Sequence, residues 1–560
     1  MPTIVGTNNA ETLTGTEDAD IIYGLGGGDT IYGLGGNDFI DGGNGGPDKM
    51  YGGLGDDTYY VDTWNEKVFI SDNDLIFENA GEGFDRVAAS VSYRLGGTNS
   101  IELIEAVNLS DTSNIYLYGN DIGQTIVGNA GDNILIGEGG NDVIVGGAGR
   151  DTMWGDGFSA FGDDIFYVDN VGDHVIEFAG QGFDRVYTTV SFTLEREVEW
   201  LQAADENGTD PLVLAGNEYA QTVIGNAGGN ILYGFAGDDD LRGLAGNDYL
   251  FGGDGADTLR GGTGDDTYYV DGGDIVDEVA GQGFDRVAAT ASFFATAGAA
   301  VELIEPVNAG GSEAMDLGGS DFAQTINGNG GTNILYGRGG DDILRGYGGD
   351  DYLVGGAAGS TDHDQMLGGA GNDTYYVFSS ADSATELAGE GNDRVATKVS
   401  LILNPLSEIE SLEAGDSTAT DALALTGSDT ANAIVGNAGD NFIDGRGGSD
   451  ILVGLGGSDT YAFTSNLGPG NVDTIDQFAP GSDRIALDDA VFTGIGAPGA
   501  LSAAAFATGA GAADSSDRIV YNAATGQLFY DSDGNGAAAQ IQFAALAPGL
   551  ALSSTDFIVI

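Results

Sequence analysis

An apolar side chain recurs every nine residues between Gly216 and Val270: Val223, Leu232, Leu241, Leu250, Leu259 and Tyr268. Two positions before each stands a polar residue, in turn Gln221, Asn230, Asp239, Asp248, Asp257 and Asp266. A glycine opens every block, as in GFAGDDDLR and GLAGNDYLF. Six consecutive matches at one spacing are not an accident of composition. Successive side chains of a strand face opposite ways, so the eighth position points into a core while the seventh and ninth face out. Glycine-rich stretches between the apolar positions read as tight turns. The form G-G-x-G-x-D-x-U-x therefore predicts an all-β fold of many very short strands, the nonapeptide of a parallel β-helix with calcium in its turns.

The same unit fills most of the chain. A first array carries Glu11, Asp20, Asp29, Asp38, Asp48 and Asp57 at the sixth position. A second carries Gln124, Asn133, Asp142, Asp151 and Asp164, with GDGFSAF inserted before the last. The stretch from Gly216 is the third. A fourth holds Gln324, Asn333, Asp342, Asp351, Asp364 and Asp373, interrupted by GAAGSTDHD, and a short fifth holds Asn432, Asn441, Asp450 and Asp459. A longer period of roughly 100 residues is superimposed, marked by GDDTYYVD, GDDIFYVD, GDDTYYVD and GNDTYYVF. The intervals between arrays repeat as well, and each contains G-x-G-x-D-R-V, positions two to eight of the nonapeptide. Asp85, Asp184, Asp285 and Asp393 thus read as further sixth-position residues. This spacing predicts one solenoid running through the intervals; the alternative is four separate rolls joined by small β-modules.

The expected organisation is a solenoid over 1–463, in super-repeats of about 1–118, 119–215, 216–318 and 319–426 with a partial fifth over 427–463, then a C-terminal cap over 464–560. Terminal coils need caps because they expose strand edges. TIVGTNN reads as a minimal N-terminal cap, 494–517 as a loop or loose connection, and DRIVYNAATGQLFYDSDGNGAAAQIQF as a β-meander. VEWLQAAD has the length of one helical turn, but nothing extends its period, so very little helix is expected.

Composition sharpens this picture. Glycine accounts for 99 of 560 residues, and 88 Asp and Glu stand against 17 Lys and Arg, a formal net charge of -71. Such self-repulsion opposes any compact state without counter-ions. Disorder would require few aromatic and apolar residues, whereas 41% of this chain is hydrophobic and it holds 23 Tyr and 25 Phe. Folding around cations fits both facts. The sign of the charge argues against nucleic acid. The absence of cysteine removes disulfides and thiolate metal sites. MPTIVGTNNAETLTG has no basic n-region or apolar h-region, so no classical signal peptide is expected, and no apolar run is long enough to span a bilayer.

On these residues the chain resembles the RTX (repeats-in-toxin) calcium-binding proteins, over nearly its whole length. The resemblance implies a right-handed β-roll with strands alternating between two sheets and two nonapeptides per turn. It further implies several calcium ions, on the order of ten or more, between loops 18 residues apart, pairing Asp239 with Asp257, Asp248 with Asp266, Asp20 with Asp38 and Asp38 with Asp57. The candidate metal ligands are Asp20, Asp29, Asp38, Asp57, Asp142, Asp151, Asp164, Asp184, Asp239, Asp248, Asp257, Asp266, Asp285, Asp342, Asp351, Asp364, Asp373, Asp393, Asp450 and Asp459. Glycines at positions one, two and four are expected in turn conformations closed to other residues. Where Asn or Gln replaces Asp, weaker or missing ions and amide ladders are expected.

Other candidates are weaker. DSDGNG, with Asp531, Asp533 and Asn535, looks like the start of an EF-hand loop, but its twelfth position is Gln542 and its flanks read as strands. Arg86, Arg185, Arg286, Arg394 and Arg484 follow the interval aspartates and are expected to pair with outward carboxylates or a partner. His174 and His363 are the only histidines, and neither H-E-x-x-H nor G-x-S-x-G occurs, so no catalytic constellation is indicated. RTX proteins use type I secretion with an uncleaved C-terminal signal, and the ending TDFIVI is similar. The expected function is a secreted, non-enzymatic, calcium-rigidified rod acting as a surface-layer, matrix or filament subunit or adhesin. A glycan- or ligand-binding module is the alternative, and an enzyme built on a solenoid face a more distant one.

Overall fold

The computed structural model of the protein describes residues 1–62, 74–97, 99–157, 160–357 and 359–560. Parts of both sequence insertions, at 158–159 and 358, fall outside them. Contacts divide the chain into two compact units: Met1–Tyr269 with Gly273–Asp277, and Val270–Gly272 with Glu278–Ile560. Outside the C-terminal cap both are built from short parallel strands paired with the strand two along in sequence. Among the described residues the only helical turns are two 3-10 segments, Ala503–Ala505 and Ser554–Asp556.

In the first unit one parallel sheet runs from Thr3–Val5 to Ile275–Val276, while the intervening strands form the other side of the coil. Eighth-position residues stack in register. Val223 faces Leu241 and Leu241 faces Leu259 on one side, and Leu232 faces Leu250 and Leu250 faces Tyr268 on the other. All six are fully buried. Such a column is the core of a solenoid, where each coil buries its apolar row only against its neighbours. Ninth-position rings stack outside at about the strand spacing: Tyr233 on Phe251 at 4.7 Å, and Tyr32 on Tyr51 at 4.8 Å.

The intervals are coils of the same column within each unit. Tyr59 faces Val87, Val87 faces Ile104, and Ile104 faces Ile126 in the first unit. Tyr375, Val395, Leu412 and Ile434 form the corresponding row in the second. VEWLQAAD supplies the strand Trp200–Ala203. The first unit begins with Thr3–Val5 pairing with Ile21–Tyr23.

The second unit ends in a cap whose strands turn antiparallel. Ile519–Asn522 pairs with Gln527–Tyr530, which pairs with Ile541–Ala545. The DSDGNG segment is the connection between the last two strands. There the Asp533 carboxylate accepts from the backbone of Ala537 and Ala538 at 2.9 and 3.1 Å, so this aspartate closes a hairpin loop between strands rather than opening an EF-hand. The Ala-rich stretch is more ordered than expected: it contains Gly499–Ala500, a 3-10 turn and Phe506–Thr508, which pairs with Ile519–Asn522. Phe557–Val559, in the acidic-then-apolar ending, pairs with Arg484–Leu487.

Candidate metal centre

All twenty aspartates picked out from the sequence are buried, none more than 3% exposed. They are joined by a repeated hydrogen bond: the backbone N–H of one sixth-position residue donates to the carboxylate of its counterpart one coil later. Asp239 donates to Asp257 and Asp248 to Asp266, both at 2.8 Å, and Asp20 to Asp38 and Asp38 to Asp57, both at 2.7 Å. The rows continue through the intervals and change residue type there. Asp57 donates to Asp85 and Asp85 to Glu102; Asp164 donates to Asp184 and Asp184 to Glu199. In the second unit Asp285 donates to Glu302, Asp342 to Asp364, and Asp373 to Asp393, which donates to Glu410. Asp351 accepts from Asn333, Asp450 from Asn432 and Asp459 from Asn441. Asp29 and Asp151 head further links, to Asp48 and Asp173.

This bond uses one carboxylate oxygen and leaves the other. Oδ2 of Asp29, Asp38, Asp57, Asp142, Asp151, Asp164, Asp239, Asp248, Asp342, Asp351, Asp373 and Asp450 is buried without a hydrogen-bond donor. A buried carboxylate oxygen with no donor is costly unless a cation or proton meets it. Burial accordingly pushes these groups up, Asp239, Asp248 and Asp373 to about 7 and Asp342 to about 8.

The turn backbone supplies further oxygens. A Cβ added to Gly234, at position one, would overlap both Asp239 Oδ2 and the Gly252 carbonyl oxygen. Gly234 has no positive φ, so glycine is required at position one for close approach, not for a special conformation as expected. Positive φ occurs at positions two and four, including non-glycine residues at position two such as Phe235 (78°) and Leu244 (84°). A Cβ on Gly253 or Gly255 would overlap the carbonyl oxygen of Phe235 or Gly237 in the preceding coil, so these carbonyls aim along the stack. Carboxylate and carbonyl oxygens together suit calcium, a hard cation taking six to eight oxygen ligands. The donor set fits: the Asp carboxylates and turn carbonyls would hold the ion, whose charge would compensate theirs.

Turns with Asn at position six are built differently. Asn230 Nδ2 donates to the carbonyl oxygens of Asn226 (3.0 Å) and Gly228, positions two and four of its own turn. Asn133 and Asn441 repeat both bonds. Asn226 Oδ1 accepts from Gly228 N–H at 2.8 Å, and neither residue has positive φ. The expected amide ladder accompanies this local closure: Nδ2 of Asn333 and Asn441 also donates to Asp351 and Asp459 one coil on, both at 3.0 Å, and that of Asn230 to Asp248 at 3.3 Å. Gln221 likewise closes onto Asn217.

Two sets of residues escaped the sequence pattern. Asp173, Asp382 and Asp473 accept the ladder bond in place of a regular sixth-position residue. Glu78, Glu177 and Glu386 lie beside the last aspartate of an array: Asp57–Glu78–Asp85, Asp156–Asp164–Glu177 and Asp373–Glu386–Asp393 each place three carboxylate oxygens within 4.8 Å of one another. Their signal was a glutamate seven residues before Asp85, Asp184 and Asp393, outside the nonapeptide. Three interval arginines pair outward, Arg86 with Glu105, Arg286 with Glu305 and Arg394 with Glu413. Arg185, whose neighbouring coil offers Gln202 instead, lies 4.7 Å over the Phe183 ring.

The family model for the RTX calcium-binding nonapeptide repeat matches residues 5–40, 42–63, 118–157, 215–250, 242–274, 327–358, 357–377 and 426–461. These segments fall within the five arrays and leave out the interval coils, whose longer spacing departs from nine. A comparison with curated proteins finds no match. With parallel coils and buried carboxylate rows beside these matches, the five arrays of the chain are RTX calcium-binding nonapeptide repeats.

Proposed function

We propose that the protein is a secreted, non-enzymatic structural protein whose β-solenoid is made rigid by calcium, serving as a surface-layer, matrix or filament subunit or an adhesin. One observation carries this reading: the carboxylate ladder extends beyond the matched arrays into the intervals, as from Asp57 to Asp85 and Glu102. Carboxylate-bearing coils thus recur along both units, between the amide-closed turns that head the later arrays. The same chemistry makes folding conditional on calcium. An ion binding only the native coil stabilises it by about 2.7 kcal/mol at a hundredfold excess over its Kd, and many such sites would couple folding to arrival in a calcium-rich exterior. Type I secretion fits a chain that stays unfolded until then. No helix among the described residues is long and apolar enough to cross a membrane.

The stacked outer rings, Tyr32–Tyr51–Phe77 and Tyr233–Phe251–Tyr269, favour a second reading as a glycan-binding module. Electron microscopy of the purified protein with and without millimolar calcium separates the two. Lattices or filaments that form only with calcium support assembly. Dispersed particles that bind polysaccharide support the second reading, and dispersed particles that bind none count against both.

A further inference from the structure

We propose that in the three-carboxylate clusters where arrays pass into intervals, Asp57–Glu78–Asp85, Asp156–Asp164–Glu177 and Asp373–Glu386–Asp393, a glutamate from outside the nonapeptide joins the turn aspartates in holding a calcium ion. The difference from a plain turn site lies in the donors. A turn site draws on aspartate and backbone carbonyls of the repeat, whereas each cluster adds a glutamate from outside it. In each, the three carboxylate oxygens come within 4.8 Å of one another, and every residue is buried.

Unpartnered atoms point to a ligand. Glu386 is 1% exposed and neither of its carboxylate oxygens meets a hydrogen-bond donor. Asp373 Oδ2 beside it is also without one. In the first cluster Glu78 Oε1, Asp57 Oδ2 and Asp85 Oδ2 are all buried and unpartnered; in the second, so are Glu177 Oε2 and Asp164 Oδ2. The neighbouring basic residues do not supply the missing charge, since Arg86 and Arg394 turn outward to Glu105 and Glu413. Three like charges at this separation repel strongly in a buried setting, and a small divalent ion with oxygen ligands relieves that repulsion directly.

The clusters also vary in a compensated way. In the first and last, a tyrosine hydroxyl accepts from a position-one glycine N–H, Gly52 to Tyr59 and Gly368 to Tyr375, both at 2.6 Å, and the Tyr59 hydroxyl in turn donates to Glu78. The second has Phe166 at the tyrosine position. There Glu177 accepts from Gly155 N–H itself at 3.0 Å, and Asp156 joins the cluster. The glutamate thus takes the glycine N–H that the hydroxyl meets in the other two.

The first site would clip a long coil. Asp57 and Asp85 are ladder partners separated by 28 residues, against 18 within an array, and Glu78 follows the strand Leu75–Phe77 between them. A cation joining all three offsets the larger closure entropy of that coil.

The test is ion counting on the full chain. Calcium bound at saturation is measured by elemental analysis after equilibrium dialysis, for the parent, for Glu386→Gln, and for Glu78→Gln/Glu177→Gln/Glu386→Gln. A loss of one ion in the single variant and three in the triple is expected; an unchanged count in folded variants overturns the proposal, leaving clusters that carry protons instead. If the glutamine variants do not fold, Tyr59→Phe/Tyr375→Phe serves, because Phe166 already occupies the equivalent core position. With terbium in place of calcium, removing these two of 23 tyrosines should lower tyrosine-sensitised emission by well over their share of the rings. A fall no greater than that share overturns the proposal.

Discussion

At Asn230 a side-chain amide nitrogen reaches the carbonyl oxygens of its own turn, while one coil further on, at Asp248, the corresponding side chain is a carboxylate whose Oδ2 meets no donor. Both residues occupy the sixth position of a nonapeptide, and both are buried. The Asn turn brings its own positively polarised group to the oxygens. The Asp turn gathers oxygens and leaves the positive charge to be supplied from outside. Amide turns stand at the head of the second to fifth arrays, with the pairs Gln124/Asn133, Gln221/Asn230, Gln324/Asn333 and Asn432/Asn441. The molecule therefore alternates between turns closed by a side-chain amide and turns whose carboxylates call for a cation.

The largest expected effect comes from removing calcium. In excess chelator near pH 8 the Asp-turn coils should lose their strand structure, seen as loss of the β-signal in circular dichroism. At intermediate calcium, hydrogen exchange should find Ile231–Ala236, which follows an Asn turn, protected longer than Tyr249–Asp254, which follows an Asp turn. The reverse order would break the comparison.

Acid should substitute for calcium. Burial raises the folded-state pKa of Asp351 to about 6, of Asp248 to about 7 and of Asp142 to about 9, above the roughly 3.9 of an unfolded aspartate. The folded state then binds more protons, so this contribution is fully present below about pH 4 and is lost as pH rises through 6 to 9. Chelated protein should regain β-structure on acidification from pH 8 toward 5. A metal-free fold that weakens over that range would contradict the assignment of these burials.

The nine-residue period, the inward eighth residue and the Asp rows were legible because each is a fixed spacing between residue types. Glu78 and Glu386 were not, since they lie on loops whose length differs from nine, and only comparison among intervals exposes their constant distance from the next aspartate. The asparagine turns were visible as G-N-x-G-x-N at Gly128, Gly225, Gly328 and Gly436. They nevertheless read as weakened Asp turns, because residue identity does not say that an amide reaching the next coil also closes its own turn. Position two was misread for a similar reason. A left-handed leucine costs roughly 1 kcal/mol, yet Leu25, Leu34 and Leu244 adopt it, each where the turn's contacts outweigh the steric preference.

Exchanging the two side chains should have intermediate effects of opposite calcium dependence. Asp248→Ala removes a ligand, and loss of one ion corresponds to about 2.7 kcal/mol at a hundredfold calcium excess. Its deficit in thermal or denaturant unfolding should therefore grow as calcium is raised. Asn230→Asp sets a charge against the carbonyls of Asn226 and Gly228 in place of a donor, costing about 1–3 kcal/mol when calcium is scarce. Added calcium should shrink that deficit. A calcium-independent cost for both variants would mean that the two turns differ in sequence but not in what they need.

The smallest effect is the sharpest in sign. Leu244 and Asn226 both sit at position two of a nonapeptide. Leu244 has φ 84°, where the Cβ is strained, so Leu244→Gly should be neutral or stabilising by up to about 1 kcal/mol. Asn226 is not left-handed; its side chain accepts from Gly228 N–H at 2.8 Å and donates to the Asp210 carbonyl at 3.0 Å. Asn226→Gly removes both bonds and adds unfolded-state freedom, so it should destabilise by about 1–2 kcal/mol. Urea midpoints at saturating calcium measure both. Shifts in the same direction would show that one backbone serves both turns, and the division between amide-closed and cation-dependent turns would then rest on the sixth residue alone.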